Sequence, residues 1–382
     1  MNKDLLTIAF MTKNEEVILG HTLPNLAKAK IPIVALDTGS TDNTINYLKS
    51  FNVTVYEIDE WKKDFSYARN YLLNKITTPW ILFLDADEFI EIKSIKKILA
   101  LIKNTKESFF HLPIYQNTVD VCSSNTEKNF RIKLYRTDQG YRYIRPVNED
   151  LDIKTNAITI KNFLNDCRIF HWGNDFETYN ERYLNKVKNY VEIFRIVLSK
   201  PEFKKDPMLY FQLGRHYEYL CSKKEAELCY LHAVRFIEKS DWISKFKFIN
   251  SLCYNFMDYN KASRVKKILL ATEKRYKTLN QPLYLLLGMV YLKEHNLITA
   301  RESLLKSLNY KNELEDKFAS YVFELKGFRQ YSFLGLIEEF LGNLDKAKEY
   351  YVKAAKLKKD EYITSLLERI EIKKKEAKNA HK

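Results

Sequence analysis

Polar and acidic residues gather at three places early in the chain, each where an apolar run stops. Asn14-Glu15 follow Leu6–Phe10, Asp37 follows Ile31–Leu36, and Asp85-Ala86-Asp87-Glu88 follow Ile81–Leu84. Two carboxylates two residues apart in extended chain, as at Asp85 and Asp87, share one side. One can bind a divalent cation, the other a hydroxyl or a metal-held water. Hard oxygen donors suit Mg2+ or Mn2+. Such an ion could bridge two phosphates of a nucleoside diphosphate and stabilise it as a leaving group. The competing reading is a helix N-cap, because Asp87-Glu88 precede a segment that could be helical.

Other residues extend the set. Arg69 lies near a helix start and could hold phosphate or the Asp85 and Asp87 carboxylates bidentately; the plainer alternative is a surface ion pair. His171 closes the strand-like run Arg168-Ile169-Phe170. A neutral imidazole there could be a third metal ligand, or the ring could simply pack beside Trp172. Pro146-Val147-Asn148-Glu149-Asp150 offers two carboxylates that could act as a general base. Arg131, Lys133, Arg136 and Arg145 could attract a diphosphate or be solvated strand-edge charges. His111, His216 and His232 have no comparable context.

These residues need elements to position them. The apolar runs alternate with helix-like segments through about residue 175, which predicts an α/β domain with a mainly parallel sheet. Ile81–Leu84 is apolar throughout, as a strand covered on both faces should be. Asp64 can N-cap a helix that carries Phe65, Ala68 and Leu72 on one face. Ligands of open α/β sheets bind at the carboxyl ends of strands, so that edge should gather Asn14-Glu15, Asp37 and Asp85/Asp87. From Asp206 the pattern is helical only. Tyr210-x2-Leu213-Gly214-x2-Tyr217, with Ala226, Tyr230 and Ala233, is matched at the same offsets by Tyr284-x2-Leu287-Gly288-x2-Tyr291, with Ala300, Leu304 and Ser307, and by Tyr331-x2-Leu334-Gly335-x2-Glu338, with Ala347, Tyr351 and Ala354. This resembles the tetratricopeptide repeat, where a small residue lets two helices approach closely; Ala262 marks a degenerate copy within 244–275. The expected order is an α/β domain (1–175), a connecting helix (176–205), an all-α helical-repeat domain (206–372) and a frayed basic tail (373–382).

Over residues 5–175 the chain resembles family 2 glycosyltransferases of the GT-A fold. The resemblance rests on Asn14-Glu15-Glu16, Asp37-Thr38-Gly39-Ser40-Thr41-Asp42-Asn43-Thr44 and Asp85-Ala86-Asp87-Glu88, in that order. It implies that Asp37 bonds the uracil of a UDP-sugar, that Asp85 contacts ribose or sugar, and that Asp87 holds the metal, with a late histidine, here His171, completing it. Asn14, Glu15 and Arg69 join the nucleotide-sugar site on the same ground. The segment Trp61-x2-Asp64-Phe65-Ser66-x-Ala68-Arg69-Asn70 is similar to one in bacterial members joined to helical repeats, the sublancin-type peptide S-glycosyltransferases among them. Related enzymes usually carry His-Glu where this chain has Asn148-Glu149, a departure that puts the acceptor chemistry in doubt. The resemblance implies an inverting, metal-dependent transfer of a hexose to Cys or Ser/Thr of a peptide or protein, with Glu149 or Asp150 as base. Alternatives are a cell-surface saccharide or lipid-linked acceptor, or a repeat scaffold with a degenerate transferase domain. A nucleotidyltransferase usually needs a Gly-rich phosphate loop near the first strand, and Phe10–Asn14 has no Gly.

Composition bounds the rest. At 382 residues, 46% hydrophobic, with only 9 Gly and 8 Pro, the chain suits two helix-rich domains. Its net charge of +14 reads as a Lys-rich surface, with no nucleic-acid-binding signature. Five cysteines without a C-x-x-C pair fit a reduced cytoplasmic thiol set. The N-terminus lacks a signal-peptide apolar region, and the longest apolar run, about Leu283–Leu292, is too short to span a bilayer. The expectation is a soluble cytoplasmic protein that could touch a membrane surface, whose repeats bind either the acceptor or a second copy of the chain as a homodimer.

Overall fold

The computed structural model describes residues 4–58, 62–116, 128–153, 160–171, 181–240, 242–258, 260–311 and 327–380. Trp61, Cys122, Trp172 and Gly173 lie outside them. The strands are β1 (Leu6–Thr12), β2 (Ile33–Asp37), β3 (Thr54–Glu57), β4 (Trp80–Phe83), β5 (Glu88–Ile90), β6 (Phe109–Gln116), β7 (Lys128–Arg136), β8 (Arg142–Ile144), β9 (Asp150–Asp152) and β10 (Ile169–His171). One sheet runs β3-β2-β1-β4-β7-β6-β10-β5, and β8 and β9 form a separate hairpin. The first four strands of that order are mutually parallel. β7 is antiparallel to both β4 and β6, while β10 is parallel to β6 and antiparallel to β5. The expected α/β sheet is therefore parallel from β3 to β4 and mixed beyond β4.

Helices α1 (Glu16–Ala27), α2 (Thr44–Ser50), α3 (Phe65–Leu73) and α4 (Ile92–Ile102) cover the sheet. Alternate residues of β4 feed two cores. Trp80 and Leu82 join Leu19 and Leu23 of α1 and Ile95 and Ile98 of α4, while Ile81 and Phe83 join Ala68 and Leu72 of α3. This is why the run before Asp85 is apolar without interruption. Burying one such side chain stabilises by about 1.5–3 kcal/mol. The N-cap reading of Asp87 fails. Residues Glu88–Ile90 are strand, and α4 begins at Ile92 after Glu91.

Two more helices, α5 (Glu181–Ser199) and α6 (Pro207–Tyr219), follow. The described residues divide into two compact units that meet in sequence at Leu220 and Cys221, so α5 and α6 belong with the sheet. Asp206 caps α6 by accepting from the amides of Met208 and Leu209, with Pro207 in the first turn. The second unit holds α7 (Lys223–Arg235), α8 (Trp242–Asp258), α9 (Ala262–Tyr276), α10 (Gln281–Lys293), α11 (Leu297–Asn309), α12 (Phe328–Phe340), α13 (Leu344–Leu357) and α14 (Glu361–Ala380). Within this unit the second and third template copies map onto the pairs α10–α11 and α12–α13. At Gly335 a Cβ would stand 2.5 Å from the Tyr351 ring, so only glycine allows that approach. The residues after Lys373, expected to fray, instead continue α14 to Ala380. Arg369 and Lys373 of that helix donate to Glu339 at 2.7 and 2.8 Å. Among the described residues no helix is long and apolar enough to cross a membrane.

Candidate active site

Parallel pairing brings the first two motifs together. β1 and β2 run in register to Thr12 and Asp37, and the Thr38 amide donates to the Thr12 carbonyl at 3.0 Å. Asp37 is buried, and one of its carboxylate oxygens accepts from the Gly39 and Ser40 amides at 2.8 Å each. The other accepts from the Ser40 hydroxyl. Gly39 sits at φ 100°, which a side chain would resist. Asn14 answers from β1: its Oδ1 accepts from the Thr41 amide at 2.7 Å, and its own amide donates to Ser40 Oγ at 2.9 Å. The Glu15 amide donates to Thr44 Oγ1 at 2.9 Å. The Asn14-Glu15 and Asp37 motifs thus form one clasp at the carboxyl edge of the sheet.

Asp85 leaves the end of β4 into a charged network. Its Oδ1 accepts from Arg69 at 2.7 Å, and its Oδ2 lies 3.1 Å from Lys133 Nζ. Lys133 also pairs with Glu88 at 2.7 Å, and Glu88 accepts from the Asp85 amide at 2.9 Å. Arg69 reaches from α3, where Asp64 caps the helix by accepting from the Tyr67 amide. Its Nε donates to Glu149 at 2.7 Å, and its guanidinium lies over the Phe83 and Tyr143 rings at 4.5 and 5.2 Å. Burial works to raise the Asp85 carboxyl, but the charges of Lys133 and Arg69 outweigh it and hold Asp85 well below the usual carboxylate range. Glu88 moves the other way. Its burial, helped by the Asp85 charge, raises it despite Lys133. Burial disfavours the charged Lys133 ammonium, yet Asp85 and Glu88 raise its pKa.

The antiparallel pairing of β5 with β10 sets His171 opposite Glu88. His171 Nε2 then lies 3.2 Å from Asp87 Oδ2. Burial lowers the His171 pKa, but the Asp87 hydrogen bond and the charges of Asp87, Glu88 and Asp85 prevail and raise it. Two ligands at right angles, roughly 2.1 Å from one ion, stand about 3 Å apart, so Asp87 and His171 fit as neighbouring ligands. Among the described residues no cluster of three or more His, Cys, Asp or Glu forms a ready-made metal cage. One or two carboxylates completed by substrate phosphates and water are the usual arrangement for Mg2+, a part that Asp87 fits.

Glu149 is held from both sides. The Phe65 amide donates to the Pro146 carbonyl at 2.8 Å. Asn70 donates to the Tyr143 carbonyl and accepts from its amide, at 2.9 and 2.8 Å. These contacts tie the β8–β9 hairpin to α3. Asn148 takes the left-handed conformation, φ 50°. Asn, Asp and His are the side chains most often found there, so Asn148 suits this backbone. Asp150 faces elsewhere, pairing with Arg145 and lying 4.0 Å from Arg131.

A cavity of about 460 Å³ opens at this edge. Of the residues singled out by sequence, Glu15, Arg69, Asp85, Asp87 and Glu149 line it; Asn14, Asp37, Asp150 and His171 are not among its lining residues. The basic residues of β7 and its surroundings are mostly occupied with acids: Arg136 with Asp138, Arg145 with Asp150 and Asp206, Lys133 with Asp85 and Glu88. Sequence reasoning missed Tyr190 and Phe194 of α5 and His216 of α6, which also line the cavity. No local signal marks them, since each sits in an ordinary amphipathic helix.

Residues 7–165 match the family model Glycosyl transferase family 2, and residues 331–361 match Tetratricopeptide repeat. The first match falls within the sheet unit and the second within the helical unit. The SPbeta prophage-derived glycosyltransferase SunS of Bacillus subtilis is 26% identical over 232 residues, 58% of this chain and 51% of that protein. The chain spans about half the length of the curated relatives it matches first. A TPR repeat-containing protein of Synechococcus elongatus is 24% identical over 147 residues, 38% of this chain and 35% of that one. Among solved structures, S. aureus TarS 1-349 in complex with UDP-GlcNAc is similar at 14% identity and TM-score 0.35, covering 79% of this chain and 91% of that one.

Proposed function

We propose that this chain is an inverting glycosyltransferase that moves a hexose from a UDP-sugar to a Cys, Ser or Thr side chain of a peptide or protein. The observation that carries the reading is the convergence of Arg69, Asp85, Asp87 and Glu149 on one cavity at the carboxyl edge of a parallel sheet, where such folds bind nucleotides. The match of residues 7–165 to family 2 supports it.

In this reading the clasp built on Asp37 and Asn14 receives the uridine, with Thr38 at the cavity surface. Asp85, kept ionised by Arg69 and Lys133, accepts hydroxyls of ribose or sugar. Asp87 and His171 hold a divalent ion, Mn2+ or Mg2+, which when bound supplies charge neutralisation to the departing diphosphate. Glu149 takes the proton of the acceptor S–H or O–H as the acceptor atom bonds to the anomeric carbon. The bond from that carbon to the phosphate oxygen breaks, and its electron pair leaves with UDP. Glu149 is favoured over Asp150 because it lines the cavity, whereas Asp150 pairs with Arg145. A peptide acceptor is favoured because repeat helices of this type commonly present concave peptide-binding surfaces.

The test compares Glu149→Gln with Asp150→Asn. Glu149→Gln should lower turnover by about 100-fold or more, the scale of a lost general base, while UDP affinity stays within a few-fold. Loss of turnover in Asp150→Asn with none in Glu149→Gln would reverse the assignment.

A further inference from the structure

Three residues of the cavity lie beyond the segment that matches the transferase family: Tyr190 and Phe194 from α5, and His216 from α6. Their rings continue from α3 as a connected series. Phe65 and Tyr190 are stacked with centroids 6.2 Å apart, Tyr190 and His216 lie at 5.5 Å, and Phe194 and His216 at 5.2 Å. The series begins beside the carboxylates, in the cavity that Glu149 and Asp85 also line; burial and then the charges of those two push the Tyr190 hydroxyl up to about 12. That hydroxyl stays protonated.

His216 has a defined polarity. Its Nδ1 lies 2.8 Å from the Gln212 carbonyl one turn earlier. A carbonyl can only accept, so Nδ1 carries the proton and Nε2 of the neutral ring is an acceptor. Burial lowers the ring's pKa, which favours that neutral form. An acceptor nitrogen repels the oxygens of a diphosphate and suits a group that brings a hydrogen. The donor end of the cavity has its own residues, Met11, Thr12, Lys13 and Thr38, from the ends of β1 and β2.

We propose that the rings of Phe65, Tyr190, Phe194 and His216 form the acceptor subsite of the transfer described above, and that His216 Nε2 accepts a hydrogen bond from the incoming nucleophile. The nucleophile is a side-chain thiol or hydroxyl, or water when no acceptor is present. His216 orients the nucleophile: water offers one hydrogen to His216 Nε2 and the other to Glu149, whereas a thiol or hydroxyl shares its single hydrogen between them, and Glu149 takes it as the acceptor atom bonds to the anomeric carbon. The inference rests on the transferase reading and adds to it that helices outside the family segment complete the site.

Two variants of the full chain test this. His216→Phe preserves a ring against Phe194 and Tyr190 and removes the acceptor atom; His216→Gln restores an acceptor. UDP affinity is measured by calorimetry, and hydrolysis of UDP-sugars by UDP release with water as nucleophile. The expected result for His216→Phe is UDP affinity and donor KM within twofold of the parent and a kcat at least tenfold lower, partly restored in His216→Gln. Unchanged kcat in His216→Phe overturns the inference, as does a loss of UDP affinity as large as the loss of rate. A parent chain that neither binds UDP nor hydrolyses any UDP-sugar overturns the transferase reading and this inference with it. Parent turnover with a silent His216→Phe overturns this inference alone.

Discussion

Replacing Arg69 by Met removes the guanidinium that joins Asp85 to Glu149. The Arg69 side chain is 11% exposed and Glu149 14%, whereas Asp85 is 42% exposed. The leg to Glu149 therefore carries more of the energy, because water can rescue Asp85 but not a carboxylate buried against α3. Removing one partner of a buried ion pair costs about 3–5 kcal/mol. The contacts with the Phe83 and Tyr143 rings add about 0.5–2 kcal/mol in such an environment, while the Met side chain recovers part of the packing. The expected net loss for Arg69→Met is about 3 kcal/mol, read from the urea midpoint of the full chain by near-ultraviolet circular dichroism. Arg69→Lys keeps the charge but cannot fork to two carboxylates, so it should lose about 1.5–3 kcal/mol. Adding Glu149→Gln to Arg69→Met should recover part of the loss. A loss under about 0.5 kcal/mol, a scale typical of surface changes, or an Arg69→Lys protein as stable as the parent, would refute the bridging role.

Two further perturbations separate structure from chemistry. Lys133→Met removes the charge that opposes the burial of Glu88, so the already raised Glu88 pKa rises further. A raised folded-state pKa means stability present at low pH and lost as pH rises through that value; Lys133→Met should therefore lose more stability at pH 8.5 than at pH 5, and a pH-independent difference would sink this account of Glu88. Asp87→Asn and His171→Ala should each weaken Mn2+ activation by at least about tenfold, measured as turnover across a Mn2+ titration, with the thermal midpoint of the sheet unit held. Activity with an unchanged metal dependence in both variants would remove the metal assignment.

What could be read from the residues follows local rules. An uninterrupted apolar run ending in carboxylates foretold a strand covered on both faces, as β4 is. Asp64 followed by Phe65, Ala68 and Leu72 foretold a capped helix, and α3 begins there. The small residues of the repeat template foretold close helix approach, which Gly335 against Tyr351 shows. What escaped depends on pairing across the chain. Glu88–Ile90 is strand because β10 pairs with it, 80 residues later in sequence, and a run of three has too little propensity of its own to compete with a helix start. Lys133 looked like one more strand-edge charge; its burial follows from β7 lying beside β4. His216 carried no signal because its place in the cavity lining depends on where α6 folds within the first unit.

The most direct test of the central claim is UDP release from a panel of UDP-sugars by the purified full chain, with and without Mn2+, followed by mass analysis of added Cys- and Ser-containing peptides. The account predicts that at least one donor yields UDP with Mn2+ present, that Asp87→Asn abolishes this, and that a peptide gains one hexose. No UDP released from any donor, together with no calorimetric binding of UDP, would contradict it.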